Sequence, residues 1–585
     1  MNEINVRTQD DRQLVLQWLS AFENALASGS ESALSAVFAD ELHWRDLMAF
    51  TWTITPHDTR EDAISDLLRT QPQVGARNFT LREGAKPPHR IRRHGRDSIE
   101  AFITFETDAG RCEGLVRLLA DQPDRAWVLA TRLNELKGHE EPVGANRPAG
   151  SAYSRNFGGD NWSDIRARVS AFADRDPAVL IIGAGQAGLA IAARLGLLGV
   201  DTLIVDKRAR VGDIWRERYH SLALHNQVNL NHMPYLPWPP NWPKYLPKDM
   251  IAGWLETYAW AMECNVWNGT EFLGADYDHD KGEWVVRLRR EDGTERVMRP
   301  RHLVMANGIA GRPLTPKLPG LDSFKGKVIH THDYREGAKW KDKRVIVVGA
   351  GTSGHDVAQD LHGHGAHVTM IQRGSTTVAS VKAAGLVHSV YYDEGLSLED
   401  ADMIAMASSY PLLVKGYQAA VVKMKEMDKD LLAGLAARGF KLDWGEDETG
   451  HQMKFRRRHG GYYLDCGCSG LIADGEVALV QHENTAHFVE NGLLMKDGSV
   501  LEADLIVTAT GYQSQESVVR EMLGDEIADR VGQIWGIAPN GEIANMFVET
   551  PQPGLWFSGG GFAHCRIYSH FVAMGIKARE LGLVG

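Results

Sequence analysis

Apolar positions along this chain of 585 residues change rhythm several times. In residues 10–27 they recur at helical spacing (Leu14, Leu16, Trp18, Leu19, Phe22, Leu26), and helices are also expected over residues 31–38 and 60–69. Alternating apolar and polar positions then place half-buried strands over residues 99–107, 112–120 and 126–133. Helices first and an antiparallel sheet afterwards predict an α+β, cone-like unit over residues 1–138. Residues 138–160 show no period and are rich in Gly, Pro and Asn, which marks a linker, assigned to residues 139–175. Beyond it, two strand-like segments are short unbroken apolar runs, as expected for a parallel sheet covered on both faces, and each ends at a glycine turn. Later, residues 412–435 return to helical spacing (Leu413, Val414, Tyr417, Val421, Met424, Leu431, Leu435) with lysines between. A basic amphipathic helix lies on a membrane or packs on its own protein; packing, as a lid over a substrate, is the favoured reading.

The two glycine turns carry the same signature. AVLIIGAGQAGLA holds Gly183, Gly185 and Gly188, and RVIVVGAGTSGHD holds Gly349, Gly351 and Gly354. Each follows a strand-like run and opens a helix, the context that gives this motif meaning. The first glycine permits a tight turn, the second lets the backbone approach a pyrophosphate, and the third lets helix and strand pack closely. The phosphates then rest on the free N–H groups of the helix start, where Gln186 stands in one copy and Thr352 and Ser353 in the other. The following strand ends at Asp206, next to Lys207, in the first copy, and at Gln372 and Arg373 in the second. A carboxylate there accepts ribose hydroxyls and repels a 2′-phosphate, whereas a neutral residue followed by Arg admits that phosphate and pairs with it. The first site therefore reads as FAD and the second as NADPH, with NADH also accommodated because Gln372 does not repel a free hydroxyl. The expected fold is α/β, with two Rossmann-like dinucleotide-binding domains and the N-terminal α+β cone-like domain. The nicotinamide domain (residues 336–503, with a helical insertion) is inserted in the FAD domain (residues 176–335 and 504–585).

Composition narrows the function. A formal charge of −12 argues against a general nucleic-acid binder. The N-terminus, MNEINVRTQDDRQ, has no apolar leader, and the most apolar window, residues 178–200, is already explained as strand plus phosphate-binding helix. No membrane span is expected. Cys112, Cys264, Cys466, Cys468 and Cys565 are too few and too irregular for a disulfide scaffold, which fits the cytoplasm. Cys466 and Cys468 have the wrong spacing for a CxxC redox pair, which counts against the pyridine-nucleotide disulfide reductases. His355, His362, His364 and His367 lack a carboxylate or Cys at ligand spacing, so no metal site is expected.

FKGKVIHTHDY, residues 324–334, matches FxGxxxHxxx(Y/F) through Phe324, Gly326, His330 and Tyr334. That is the fingerprint of the flavin-containing monooxygenases, and the segment sits, as in that family, between the two dinucleotide domains. GDIW (Gly212 to Trp215) resembles the family's GGxW turn, and ATGY, with Thr510, Gly511 and Tyr512, its second domain crossing; at the first crossing Asn307 replaces the usual Thr. Residues 221–239, 460–467 and 554–570 also agree, the first two looking like the long-chain, type II branch, which carries an N-terminal extension. In that extension FADELHWRDLMAF resembles the nuclear-transport-factor-like family. His43 and Asp46 are candidates to line a pocket there, although such a unit more commonly serves packing or dimerisation, so a homodimer is among the expected states.

The resemblance implies a flavin monooxygenase. NADPH reduces FAD, O2 adds to form a C4a-(hydro)peroxyflavin, and one oxygen atom passes to a small sulfide or amine. The alternatives are Baeyer–Villiger oxygenation of a ketone and plain NADPH oxidation. The family's active-site Asn is carried onto Asn226, where the local sequence is His-Asn and not Thr-Asn. Arg566 is a candidate to stabilise a peroxide anion, an equal alternative being an Arg that pairs structurally with a phosphate or carboxylate. Trp215 is expected beside the flavin, and His330 is expected to position the linker, not to move protons.

Overall fold

A computed structural model describes residues 2–149, 157–309 and 311–584 of the chain. Its N-terminal part sets helices Asn2–Ser28, Glu31–Val37 and Arg60–Val74 against a seven-stranded sheet. The long strands Arg96–Glu106, Gly110–Leu119 and Ala126–Leu136 run antiparallel to one another, and Phe38–Leu47 adds parallel to the last. The expected second helix therefore stops one residue early, because Phe38 begins that extra strand. Between helices and sheet, aromatic rings fill the space: Trp18 stacks on Phe22 at 5.0 Å and Phe79 on Phe105 at 4.6 Å. Asp46, fully buried, accepts hydrogen bonds from the Thr131 hydroxyl (2.7 Å) and from the Phe50 (3.0 Å) and Thr51 (2.8 Å) amides. His43 is held by Asp58 at 2.7 Å. Both residues are buried, His43 4% and Asp46 0% exposed.

Residues 150–156 of the expected linker lie outside the described residues. Within the remainder, a helix the linker assignment missed, Trp162–Ala171, starts on a capping box between Asn161 and Asp164.

Two parallel five-stranded sheets follow. The first has the order Val266–Trp267, Thr202–Val205, Val179–Ile182, His302–Met305, Leu555–Phe557. The second has the order Lys327–His330, Leu505–Thr508, Arg344–Val348, His367–Gln372, Ala478–Gln481. Two strands correct the expected boundaries. Lys327–His330 and Leu505–Thr508, both assigned by sequence to the FAD unit, pair with each other in the second sheet, so the crossings lie before Lys327 and after Thr508. At the crossings the two connections hold each other: the Leu314 amide donates to the Gly511 carbonyl (2.9 Å), and the Thr510 hydroxyl to the Leu314 carbonyl (2.6 Å).

The amphipathic stretch is two helices, Tyr410–Met427 and Lys429–Ala437, broken at Asp428. The Asp428 carboxylate turns back to accept from the Ser380 amide (2.7 Å) and hydroxyl (2.8 Å). With helix Leu398–Met406 these helices pack between the N-terminal unit and the dinucleotide units. Among the described residues no helix is long and apolar enough to cross a membrane.

Candidate active site

Both glycine turns fold as their spacing predicts, for the same steric reasons. Gly183 and Gly349 have φ of 111° and 122°, and a Cβ on either would meet the Ala306 or Ala509 carbonyl at 2.6 and 2.5 Å. A Cβ on Gly188 or Gly354 would run into the carbonyl oxygen of Gly183 or Gly349, so these third glycines set how closely helix approaches strand. Gly185 and Gly351 instead have nothing within 4 Å of such a Cβ. Helices Gln186–Leu197 and Thr352–Gly363 begin at these two glycines, with no side chain capping their first amides. Open space in front of uncapped helix starts is what a dinucleotide pyrophosphate requires.

The two turns face a single continuous cavity of about 1700 Å³. Asp206, Lys207, Trp215 and Asn226 line it on the first side, Thr352, Ser353 and Arg373 on the second, and Thr510, Gly511 and Tyr512 in between. Asp206 is held in place by the Ala184 (2.8 Å) and Arg208 (2.9 Å) amides, each to a different carboxylate oxygen. Trp215 stacks on Phe562 at 5.8 Å, and its buried indole N–H has no partner among the described residues. The Asn226 side chain likewise has no hydrogen bond there; only its carbonyl is engaged, by Asn231 at 3.2 Å.

At the second turn the structure separates two neighbours that sequence treated together. Gln372 is fully buried and turned away: its amide exchanges hydrogen bonds with the Lys441 backbone (both 2.9 Å) and accepts from Gln481 (2.8 Å). Arg373 is exposed on the cavity wall, without a hydrogen-bond or ion-pair partner among the described residues. Of the two, Arg373 is the one on the cavity wall.

Arg566 does not reach the cavity. Its guanidinium forms a bidentate pair with Asp402 (2.8 and 2.7 Å) and donates to the Leu230 and His232 carbonyls (both 2.8 Å). Every donor group is spent joining the C-terminal helix Phe562–Glu580, the helical insertion and the residue 221–239 segment, so the structural alternative holds. Of the fingerprint residues, Phe324, His330 and Tyr334 are buried and Gly326 is exposed. A Cβ on Gly326 would strike the Phe324 ring and the Asp504 carbonyl. His330 packs edge-on to Tyr512 at 5.8 Å, and burial pushes its pKa down. The Tyr334 hydroxyl donates to Asp360 at 2.5 Å. His355 stacks on Tyr463 at 4.0 Å, and no group of three His, Cys, Asp or Glu suited to a metal occurs among the described residues.

Sequence reasoning missed two groups. Asp356, one residue past the signature's His355, is nearly buried between the two units; burial raises its pKa, and Tyr219 donates to it at 2.5 Å with His225 at 3.6 Å. Phe455, His459 and Trp535 line the cavity from segments with no motif.

Two dinucleotide-binding turns facing one cavity define an oxidoreductase that couples two such cofactors. Consistently, the family model described as "Pyridine nucleotide-disulphide oxidoreductase" matches residues 177–395, although all five cysteines here are free thiols. Indole-3-pyruvate monooxygenase YUCCA1 of Oryza sativa subsp. japonica is 30% identical over 342 residues, which cover 58% of this chain and 77% of that protein. A probable indole-3-pyruvate monooxygenase, YUCCA9 of Arabidopsis thaliana, is 31% identical over 344 residues (57% and 75%). The chain belongs to this flavin-dependent monooxygenase family; FAD and NADPH are its cofactors and O2 its co-substrate. The closed crystal structure of cyclohexanone monooxygenase shares the fold, with TM-score 0.52 and 19% identity over 70% of this chain and 84% of that one. The NADP+-bound enzyme of Rhodococcus sp. Phi1 gives 0.51 and 20%, with the same coverage.

Proposed function

We propose that this enzyme inserts one oxygen atom from O2 into a small, uncharged organic substrate, a sulfide or a ketone, using FAD on the first turn and NADPH, in preference to NADH, on the second. The observation that carries this reading is the single cavity onto which both turns open. A hydride donor and its acceptor must meet, and only a shared, walled space lets them do so with water excluded. When bound, the nicotinamide supplies a hydride and the flavin accepts it and activates O2. The chain binds, orients and screens. Gly185 and Gly351 leave room for the pyrophosphates, and the Asp206 carboxylate, fixed by two amides, accepts ribose hydroxyls. Arg373 pairs with the 2′-phosphate of NADPH. The free Trp215 N–H and the Asn226 amide offer hydrogen bonds inside the cavity, where a competing water is costly to admit. Arg566 and His330 hold the scaffold.

Residues 221–239 and 460–467 support placement in the type II branch, and the helices and sheet of residues 1–138 support a nuclear-transport-factor-like extension used for intramolecular packing. The relatives named for an α-keto acid substrate support including carbonyl compounds.

The test is isotopic. Purified protein with NADPH, methyl phenyl sulfide or a ketone, and 18O2 should yield product carrying one labelled atom per NADPH consumed. Hydrogen peroxide matching NADPH whatever substrate is present, with no labelled product, would establish the oxidase alternative instead.

A further inference from the structure

Two aromatic residues on the cavity wall adopt a backbone conformation that side chains avoid. His459 and Trp535 have φ of 57° and 70°, in the left-handed region where bulky residues are strained. Their rings meet at 4.2 Å between centroids, and Phe455 closes the cluster at 5.4 Å from Trp535 and 5.8 Å from His459. The Trp535 indole donates to the Phe455 carbonyl at 3.2 Å, so its orientation is fixed. The far edge of the indole lies 3.3 Å from where a Cβ on Gly560 would be, and the Gly560 carbonyl accepts from Gln186 of the first glycine turn at 3.2 Å. The cluster therefore adjoins the turn that opens to FAD. Within it, the buried Nδ1 of His459 has no partner among the described residues. Burial pushes the His459 pKa down to about 4, which keeps the ring neutral at physiological pH. These strained, mutually locked rings lie where the core meets the cavity wall.

The charges beside this surface come from one helix end. His459 caps a helix, Gly450–Arg458, that ends in Arg456, Arg457 and Arg458. Arg457 is paired with Asp447 at 2.6 Å, and Arg458 lies 3.8 Å from Glu446. Glu516, which also lines the cavity, is turned to the Ile534 amide at 2.7 Å. No carboxylate is offered to a cationic guest by these contacts.

Building on the monooxygenase reading above, we propose that Phe455, His459 and Trp535 form the substrate subsite, and that it selects a planar aryl compound whose hydrogen-bonding group meets the His459 imidazole. Aryl ketones and aryl sulfides fit. Protonated amines do not, because they would lose hydration without gaining an anion. Trp535 and Phe455 set the plane, and His459, neutral and fixed by its ring contacts, orients a carbonyl oxygen by donating to it.

The holoenzyme tests this with four probes: acetophenone, methyl phenyl sulfide, dipropyl sulfide and N,N-dimethylbenzylamine. The wild-type kcat/KM is expected to favour methyl phenyl sulfide over dipropyl sulfide by about tenfold, the order of one aromatic contact, with the amine poorest. Trp535→Ala should erase that preference chiefly through KM, and Trp535→Phe should restore part of it. His459→Phe should keep the preference between the two sulfides while raising KM for acetophenone more than for methyl phenyl sulfide. An aryl preference that survives in a folded, FAD-containing Trp535→Ala protein overturns the proposal. Should that variant fail to fold, unchanged acetophenone-to-sulfide KM ratios in His459→Phe and His459→Gln overturn it equally. Calorimetric binding of acetophenone separates the two readings. If the wild type binds it, Trp535→Ala or His459→Gln does not, and no probe is oxygenated, the subsite stands and the monooxygenase reading falls. Oxygenation of every probe at comparable kcat/KM leaves monooxygenation intact and removes the subsite.

Discussion

Gln372 and Arg373 are adjacent, yet they do opposite work. A strand presents successive side chains to opposite faces, and at the end of His367–Gln372 this sends Gln372 inward to the Lys441 backbone and leaves Arg373 in the cavity without a partner among the described residues. An unpaired guanidinium at that position suits a 2′-phosphate, and a charge-assisted pair of this kind contributes about 1.5–3 kcal/mol. Arg373→Ala is thus expected to raise KM for NADPH by about 10- to 100-fold and KM for NADH hardly at all. Steady-state kinetics with both coenzymes decide it, and equal losses would remove Arg373 from phosphate recognition. Asn226 is argued on a similar basis: it lines the cavity, and its side-chain amide has no hydrogen bond among the described residues. Asn226→Ala should leave anaerobic flavin reduction by NADPH at its wild-type rate while more of the consumed NADPH appears as hydrogen peroxide. Peroxide yield unchanged from wild type would exclude Asn226 from coupling. The same residue-level reading moves Arg566 the other way, since a guanidinium with every donor group engaged has none left for a reaction centre.

Elements were most legible where period and punctuation agreed. The helix ending at Ser28, the helix Arg60–Val74 and the three long strands of the N-terminal sheet lie where apolar spacing put them, because each buries one face and the pattern records which. What pattern cannot record is a partner distant in sequence. The break at Asp428 draws on Ser380, and the turn after Phe38–Leu47 adds Thr131 to its local bonds from Phe50 and Thr51, so a partner of each lies outside any local signal. That second turn has a measurable consequence. Burial pushes Asp46 up to about 6 from an ordinary 3.8, outweighing its hydrogen bonds to Thr131, Thr51 and Phe50. A folded-state pKa above the unfolded one means the native state holds the proton more tightly. Stability from this group is therefore full below about pH 4 and lost as pH rises through 6, a swing on the order of 3 kcal/mol. Asp46→Asn keeps the shape but does not titrate. The stability advantage of wild type over Asp46→Asn, from denaturant unfolding at pH 4.5 and 7, should shrink as pH rises. An advantage that is constant across that range would show that Asp46 does not titrate in the folded state as described.

At the scale of the whole molecule, the glycine turns made the two dinucleotide units legible and left their joints obscure. Lys327–His330 reads as part of the fingerprint linker, but its apolar residues complete the second sheet beside Leu505–Thr508, and only tertiary pairing reveals it. The attachment of residues 1–138 was equally hidden, because it includes ion pairs, most of them largely buried, between distant residues. Arg45, 4% exposed, makes a bidentate pair with Glu542 (2.7 and 2.7 Å) and donates to the Met406 carbonyl at 2.8 Å. Arg93 joins Glu394 (3.0 and 2.7 Å), Arg82 pairs with Asp400, and Lys415 reaches back to Glu41 at 2.7 Å. Met406, Glu394, Asp400 and Lys415 belong to the insertion that also supplies Asp402 to Arg566, so the N-terminal unit braces the element that braces the C-terminal helix. Removing one partner of a buried pair strands the other, at about 3–5 kcal/mol, whereas an exposed pair contributes little whatever its distance. Arg520 supplies the contrast: its bonds to Asp525 (2.7 Å) and Asp529 (2.6 Å) are as short as those of Arg45, but solvent-exposed. Arg45→Ala should therefore lower the thermal midpoint by several degrees while Arg520→Ala leaves it nearly unchanged. Glu542→Ala combined with Arg45→Ala should cost clearly less than the sum of the two single changes, because each already strands the other's partner. If instead Arg45→Ala and Arg520→Ala prove equally mild and the double variant is additive, the N-terminal unit is carried by the enzyme without bracing it.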